Sequence, residues 1–119
     1  MRIINGTEFD TFKHSSSSKR SRIGYFSRQE LTRILGVYAM RVAQGEWRDY
    51  SLDHLEGKAF FSIYRSSHEM PLYTIEKKRL KGKDRWLFSL RDRKKILKSG
   101  ARLQDILDYL SGLPRLVNT

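Results

Sequence analysis

Tyr25 to Tyr50 reads Y-F-S-R-Q-E-L-T-R-I-L-G-V-Y-A-M-R-V-A-Q-G-E-W-R-D-Y, a punctuated helix running into a polar turn. Ser27 followed by Glu30 is a capping box, in which each side chain satisfies a backbone N–H of the first turn. Phe26 and Leu31 occupy the staple positions around it and fix the entry angle. Gly45 stops the helix, because glycine takes the left-handed conformation of a C-cap without a Cβ clash. At about 100° per residue, Leu31, Ile34, Leu35, Tyr38 and Val42 share one face, the expected core face. Gly36, Ala39 and Ala43 form a strip of small residues suited to the close approach of another element. Val37 and Met40 lie outside both strips, as scattered surface apolars or as a candidate interface with a partner or second copy.

Going outward from this helix, the following residues alternate as strands do. Trp47 to Asp53 reads as a short strand, and His54 to Lys58 as a turn around Gly57. Ala59–Arg65 (A-F-F-S-I-Y-R) is rich in aromatic and β-branched residues, with Ala59, Phe61 and Ile63 on one face and Phe60 and Tyr64 on the other. Pro71 starts a further strand, L-Y-T-I-E-K, where proline is tolerated. Arg85 to Leu90 alternates Trp86, Phe88 and Leu90 against Arg85, Leu87 and Ser89, and K-I-L-K returns until Ser99-Gly100 breaks it. Leu103, Ile106, Leu107 and Leu110 recur at helical spacing and end at Gly112 and Pro114. Short connections make the sheet an antiparallel meander of about four to five strands. The expected fold is α+β, with an N-terminal and a C-terminal helix packed on one side of that sheet. Its expected core is Leu31, Ile34, Leu35, Tyr38, Val42, Phe61, Ile63, Tyr73, Ile75, Trp86, Phe88, Leu103, Ile106 and Leu107.

The chain of 119 residues suits one domain, expected over 25–113, between a Ser-rich basic arm at 1–24 and a tail at 114–119. Ser15 to Ser18 followed by K-R-S-R offers no apolar group to offset the entropy of ordering. Ile3 and Ile4 suit at most a short strand, and the tail is expected to lean on the domain through Leu116 and Val117. Without cysteine there is neither a disulfide framework nor a thiolate metal site, which fits a reducing, cytoplasmic setting. The opening residues hold a two-residue apolar run, far short of a signal peptide's apolar region, and no stretch approaches a membrane span. No membrane partner is expected.

V-Y-A-M-R-V-A-Q-G-E-W-R-D-Y-S-L-D-H-L at 37–55 and F-S-I-Y-R-S-S-H-E-M-P-L-Y-T-I-E-K at 61–77 resemble a family of short bacterial proteins known only as a domain of unknown function. I-L-K-S-G at 96–100, followed by an apolar helix, fits the same pattern, so the resemblance covers roughly residues 26–112. The Ser-rich arm and the R-D-R-K-K turn depart from it, the turn in being more basic. The resemblance implies one compact domain and brings no active-site residue with it.

No phosphate loop, nucleophile elbow, H-E-x-x-H or cysteine motif is present. His54 lies between Asp53 and Glu56 in a turn, and His68 beside Glu69 in a loop, both read as surface residues. The three histidines have no metal-ligand spacing. Glu46, Arg48 and Asp49 follow a helix end, where Arg48 is expected to bond the last carbonyls beside an acid while Trp47 covers the core. The expectation is therefore a non-enzymatic chain with no cofactor, metal or small-molecule substrate.

The net charge of +11 is unevenly placed. Glu46 to Glu76 has six acids against three bases, whereas Lys13 to Arg22 has four bases and no acid. Lys77 to Lys98 holds eleven Lys/Arg against two acids: Lys77, Lys78, Arg79, Lys81, Lys83, Arg85, Arg91, Arg93, Lys94, Lys95 and Lys98. These eleven are the candidate polyanion-binding residues, since Lys and Arg bind nucleic acid phosphates with salt-dependent affinity and no sequence preference. The competing account is a solvated sheet edge whose lysines discourage pairing. A protein-interaction or homodimeric module using the helix and the outer sheet face is the alternative function.

Overall fold

The computed structural model describes residues 25–66, 69–82 and 85–114. The expected arm, the tail residues Leu116 and Val117, and His68, Lys83 and Asp84 lie outside the described residues. Helix α1 spans Arg28–Ala43, and its capping box forms as the sequence implies: Glu30 N–H donates to Ser27 Oγ at 3.1 Å and Ser27 N–H to Glu30 Oε1 at 2.8 Å. Phe26 and Leu31 are both buried beneath this cap. At the other end Gly45 takes φ +80°, so that its N–H reaches Val42 O at 2.9 Å and Glu46 N–H reaches Arg41 O at 3.0 Å, a Schellman closure.

Strands β1 (Asp49–Leu55), β2 (Lys58–Tyr64), β3 (Tyr73–Arg79), β4 (Trp86–Arg91) and β5 (Ile96–Gly100) form an antiparallel meander in the order β1-β2-β3-β4-β5. β1 runs on through His54 and Leu55 into a two-residue turn, with φ +54° at Glu56 and +77° at Gly57. Positive φ at both central residues marks the hairpin turn whose twist matches the strands it joins. β5 also runs further than expected: Ser99 and Gly100 do not break it but pair with Ser89 and Phe88.

The register puts Phe61 opposite Ile75 and Ile75 opposite Leu90, and all three are fully buried. Both helices cover this face, with α2 (Leu103–Ser111) lying on β4 and β5 and beside α1. The helices run in the same direction, since Arg33 near the start of α1 bonds Gln104 in the first turn of α2, whereas Arg41 near the end of α1 reaches the last turn of α2. Tyr38 knits α1 to the sheet, 5.0 Å from Tyr50 edge-on and 6.1 Å from Phe61. Tyr50 in turn stacks flat on Phe61 at 4.9 Å.

Three expectations need correcting. Val42 is 39% exposed, because the core-facing direction of α1 passes through Leu31, Ile34 and Arg41, and Arg41 takes the buried position in the last turn. Gly36, Ala39 and Ala43 are exposed, and a Cβ at Gly36 would meet nothing within 4 Å, so no element of the described chain packs on that strip. Phe26, Trp47, Tyr50, Ala59, Leu90 and Leu110 belong to the buried core alongside most of the expected residues, while Leu35, Tyr38, Tyr73 and Trp86 pack against it half-buried.

Candidate nucleic-acid interface

A meander turns its chain at alternate ends of the sheet, and this divides the basic run. The six residues of β4 separate its two halves by about 20 Å at ~3.4 Å per residue. The proximal end holds the start of α1, the β1–β2 turn and the β3–β4 connection with Lys78, Arg79, Lys81 and Arg85. The distal end holds the C-terminus of α1, the β2–β3 loop and the β4–β5 turn with Arg91, Arg93, Lys94 and Lys95. Lys98 belongs to neither turn; it is exposed on β5, opposite Leu90.

Lys77 is no ligand residue. It alternates with Tyr73 and Ile75 on the helix-covered face and is 2% exposed. Its Nζ donates to Tyr25 O and to Glu30 Oε1, each at 2.8 Å, and lies 4.4 Å from the Trp86 ring centroid. A charge so placed needs acceptors, and these bonds supply them while fastening the entrance of α1 to β3. Further out, Arg79 stands opposite Trp86 in the ladder with its Cζ 5.8 Å from that ring. Leu80 N–H donates to Arg85 O at 2.9 Å and closes the connection, leaving Lys81 and Arg85 exposed without an ion pair among the described residues. Arg28, in the first turn of α1, adds an exposed cation at this end that reading the run alone does not find.

The distal turn is engaged differently. Arg93 donates from Nε to Pro71 O at 3.1 Å and from Nη2 to Met70 O at 2.8 Å, with Glu69 at 3.5 Å, so it braces the β2–β3 loop and is withdrawn from the phosphate set. Asp92 Oδ1 accepts the N–H groups of Lys95 and Lys94, each at 2.8 Å, and these bonds hold its carboxyl below the usual value. Arg91, Lys94 and Lys95 remain exposed.

Beneath the distal end lies a second buried pair. Arg41 Nη1 meets Glu46 Oε1 at 2.7 Å, and Arg41 Nη2 donates to Ser111 O and Leu113 O, each at 2.9 Å. Arg41 thus closes the C-terminus of α2 and lies 5.6 Å from the Trp47 ring. The expectation that Arg48 bonds the last carbonyls of α1 is corrected: Arg48 is exposed, and α1 is closed by the backbone N–H groups of Gly45 and Glu46. It is Arg41, two turns after Ile34, that reaches carbonyls, those at the end of α2. Trp47 does cover the core, at 2% exposure. Burial raises the Tyr38 hydroxyl to about 12 and pushes Tyr50 and Tyr73 up as well, with Asp49 adding to the first two.

Residues 24–107 match the family model described as a protein of unknown function, DUF2794. The chain belongs to that family. The DUF2794 span takes in α1, all five strands and the first turns of α2, hence both basic turns and both buried pairs. Neither the curated proteins nor the solved structures contain a match to the chain. His54 is exposed and lies against Tyr25, ring centroids 3.5 Å apart and planes tilted by 40°, and no group of three metal-ligating side chains occurs among the described residues. No described helix is long and apolar enough to cross a membrane. Of the two candidate interface residues, Met40 is 64% exposed while Val37 is half-buried against the core.

Proposed function

We propose that this DUF2794 chain is a non-enzymatic module that binds the phosphate backbone of nucleic acid through the proximal end of its sheet. The observation that carries the proposal is what accompanies the cations there. Lys81 and Arg85 are exposed without an ion pair among the described residues, as Arg91, Lys94 and Lys95 are at the distal end, but the proximal end adds the exposed Arg28 and the half-buried ring of Trp86. In the sequence ahead of Tyr25, residues 13–22 hold Lys13, Lys19, Arg20 and Arg22 and no acid. A net charge of +11 favours encounter with any polyanion. Titration of mixed-sequence RNA and DNA, single- and double-stranded, at several salt concentrations tests this. Log K should fall with log[salt] by about 0.7 to 0.9 per phosphate neutralised; no binding at low ionic strength would overturn it.

A second function has its own support. Along α1 the exposed residues Gln29, Thr32, Gly36, Ala39, Met40 and Ala43 form an uncharged strip bordered by the exposed Arg28 and Arg33, in a chain that is 31% charged. Such a face suits a protein partner or a second copy. Sedimentation of wild type and Met40→Glu at several concentrations decides it: self-association lost in the variant supports the second copy, and a wild type monomeric throughout removes it.

A further inference from the structure

The proximal end gathers half-exposed rings as well as cations. Trp86 is half-buried at the last rung of the β3–β4 ladder, with Lys77 Nζ and Arg79 Cζ against its ring at 4.4 and 5.8 Å. Tyr25 is half-buried, lies tilted against the exposed His54, and accepts a hydrogen bond from Lys77 Nζ on its own carbonyl. Lys77 Nζ therefore contacts both the Trp86 ring and the Tyr25 carbonyl, at the end of the sheet whose β3–β4 connection carries the exposed Lys81 and Arg85. Rings elsewhere are differently placed. At the distal end Trp47 and Tyr50 are buried, while the half-buried Tyr64 shares a hydrogen bond with Ser51 Oγ and the half-buried Tyr73 lies against Trp47 within reach of the Asp92 and Glu46 charges. Phe60 on the outer sheet face is opposite Asp53 and Glu76, two carboxylates that repel a polyanion.

Interleaved rings and cations match unpaired nucleotides. A duplex keeps the faces of its bases stacked inside and offers a protein phosphates and groove edges, whereas a single strand can lay a base on an aromatic ring while its phosphates meet cations. We infer that the ligand of the proximal end is single-stranded nucleic acid, its phosphates on Lys81 and Arg85 and its bases on Trp86 and Tyr25. This inference rests on the polyanion proposal above and goes further by naming the strand state.

The test uses the full chain, a mixed-sequence single-stranded oligonucleotide as RNA and as DNA, the matching duplexes, and inorganic polyphosphate, all at one salt concentration. Wild type should prefer either single strand to its duplex and to polyphosphate. Trp86→Leu and Tyr25→Leu should each weaken single-strand binding by about 5- to 100-fold, the usual loss for one stacked base, while leaving polyphosphate unchanged. Trp86→Phe keeps a ring and should retain most of the affinity. Because Trp86 also packs on the core, a measurement on wild type stands beside these variants: photocrosslinking of 5-iodouracil-substituted oligonucleotides, mapped by mass spectrometry. Crosslinks at Tyr25, His54 or Trp86 support the inference, and crosslinks confined to Phe60 or Tyr64 overturn it. Equal affinity for single strand, duplex and polyphosphate overturns it too but leaves the phosphate proposal standing, whereas no binding to any of them removes both.

Discussion

The two ends of the sheet are built from similar residues and finished in different ways. At the distal end, Arg93 is spent on the carbonyls of Met70 and Pro71, and Asp92 gathers the backbone of Lys94 and Lys95. At the proximal end, Lys77 is withdrawn into the core while Lys81 and Arg85 stay in water beside half-exposed rings. Each end also has one buried ion pair, Lys77–Glu30 joining α1 to β3 and Arg41–Glu46 joining α1 to the end of α2. A cation's role is thus decided by whether its own fold supplies an acceptor, and neighbours of identical type in one run receive opposite roles.

The largest effects should come from breaking the two buried pairs. Lys77→Met leaves the Glu30 carboxylate and the Tyr25 carbonyl without their cation, and Arg41→Met strands Glu46 along with carbonyls of α2. Removing one partner of a buried pair typically costs about 3–5 kcal/mol. Urea unfolding should show losses of that order for both, whereas Lys81→Gln and Lys94→Gln should stay within about 0.5 kcal/mol of wild type. Lys77→Met combined with Glu30→Gln should regain much of the loss, because the carboxylate is neutralised while the amide oxygen still caps α1. A Lys77→Met protein as stable as wild type would break the comparison at its root.

Much of this architecture was legible in local chemistry. Ser27 with Glu30 and Gly45 bounded α1, and alternation placed all five strands and thereby the meander. What escaped was the role of charged residues at core-facing positions. Lys77 follows Tyr73 and Ile75 at period two, and Arg41 follows Ile34 at seven, so both carried a positional signal of burial. That signal was masked because a dense basic run reads as a solvated surface, and because a buried cation is intelligible only with its acceptors. Tyr25 O and Glu30 lie about fifty residues from Lys77, and the carbonyls of α2 about seventy from Arg41. The bare strip of Gly36, Ala39 and Ala43 is the reverse case, since local pattern shows room for a neighbour but not whether the fold provides one.

Matched charge removal sharpens the comparison at the level of ligand. Lys78, Lys81 and Arg85 changed to glutamine, and separately Arg91, Lys94 and Lys95 changed to glutamine, lower the net charge equally. Long-range attraction to a polyanion therefore weakens alike in both, and any difference reports local contact. Fluorescence anisotropy should give the proximal variant about tenfold weaker binding than the distal one, with a salt slope shallower by about 2 for single strands. Equal losses would mean that the two turns act as one diffuse field.

A smaller effect should follow from Arg93→Ala. It removes the donors to Met70 O and Pro71 O, bonds that contribute about 1 kcal/mol at most to an exposed loop. Hydrogen exchange should quicken around 69–72 and leave the proximal end unchanged. Nucleic acid affinity should change less than in the proximal glutamine variant, since Arg93 is already engaged.

The smallest effect at neutral pH, and the one most specific to the distal side, lies in the phenols. Tyr38 packs against Trp47 and Tyr50 at 6.0 and 5.0 Å, and burial followed by the Asp49 charge raises its hydroxyl from 10.0 to about 12. A phenol held above its ordinary value keeps its proton more tightly when folded than when unfolded. Its contribution to stability is therefore complete below pH 10 and is lost as pH rises through about 12. Tyr50 and Tyr73, raised in the same direction for the same leading reason, steepen that loss. Tyr38→Phe keeps the ring and its packing, so stability at pH 7 should change by less than about 0.5 kcal/mol. Between pH 10 and 12 the variant should lose stability less steeply than wild type, read by urea midpoints alongside tyrosinate absorbance. Identical pH profiles for the two proteins would show that Tyr38 titrates as an ordinary surface phenol and that burial at the distal side does not reach its hydroxyl.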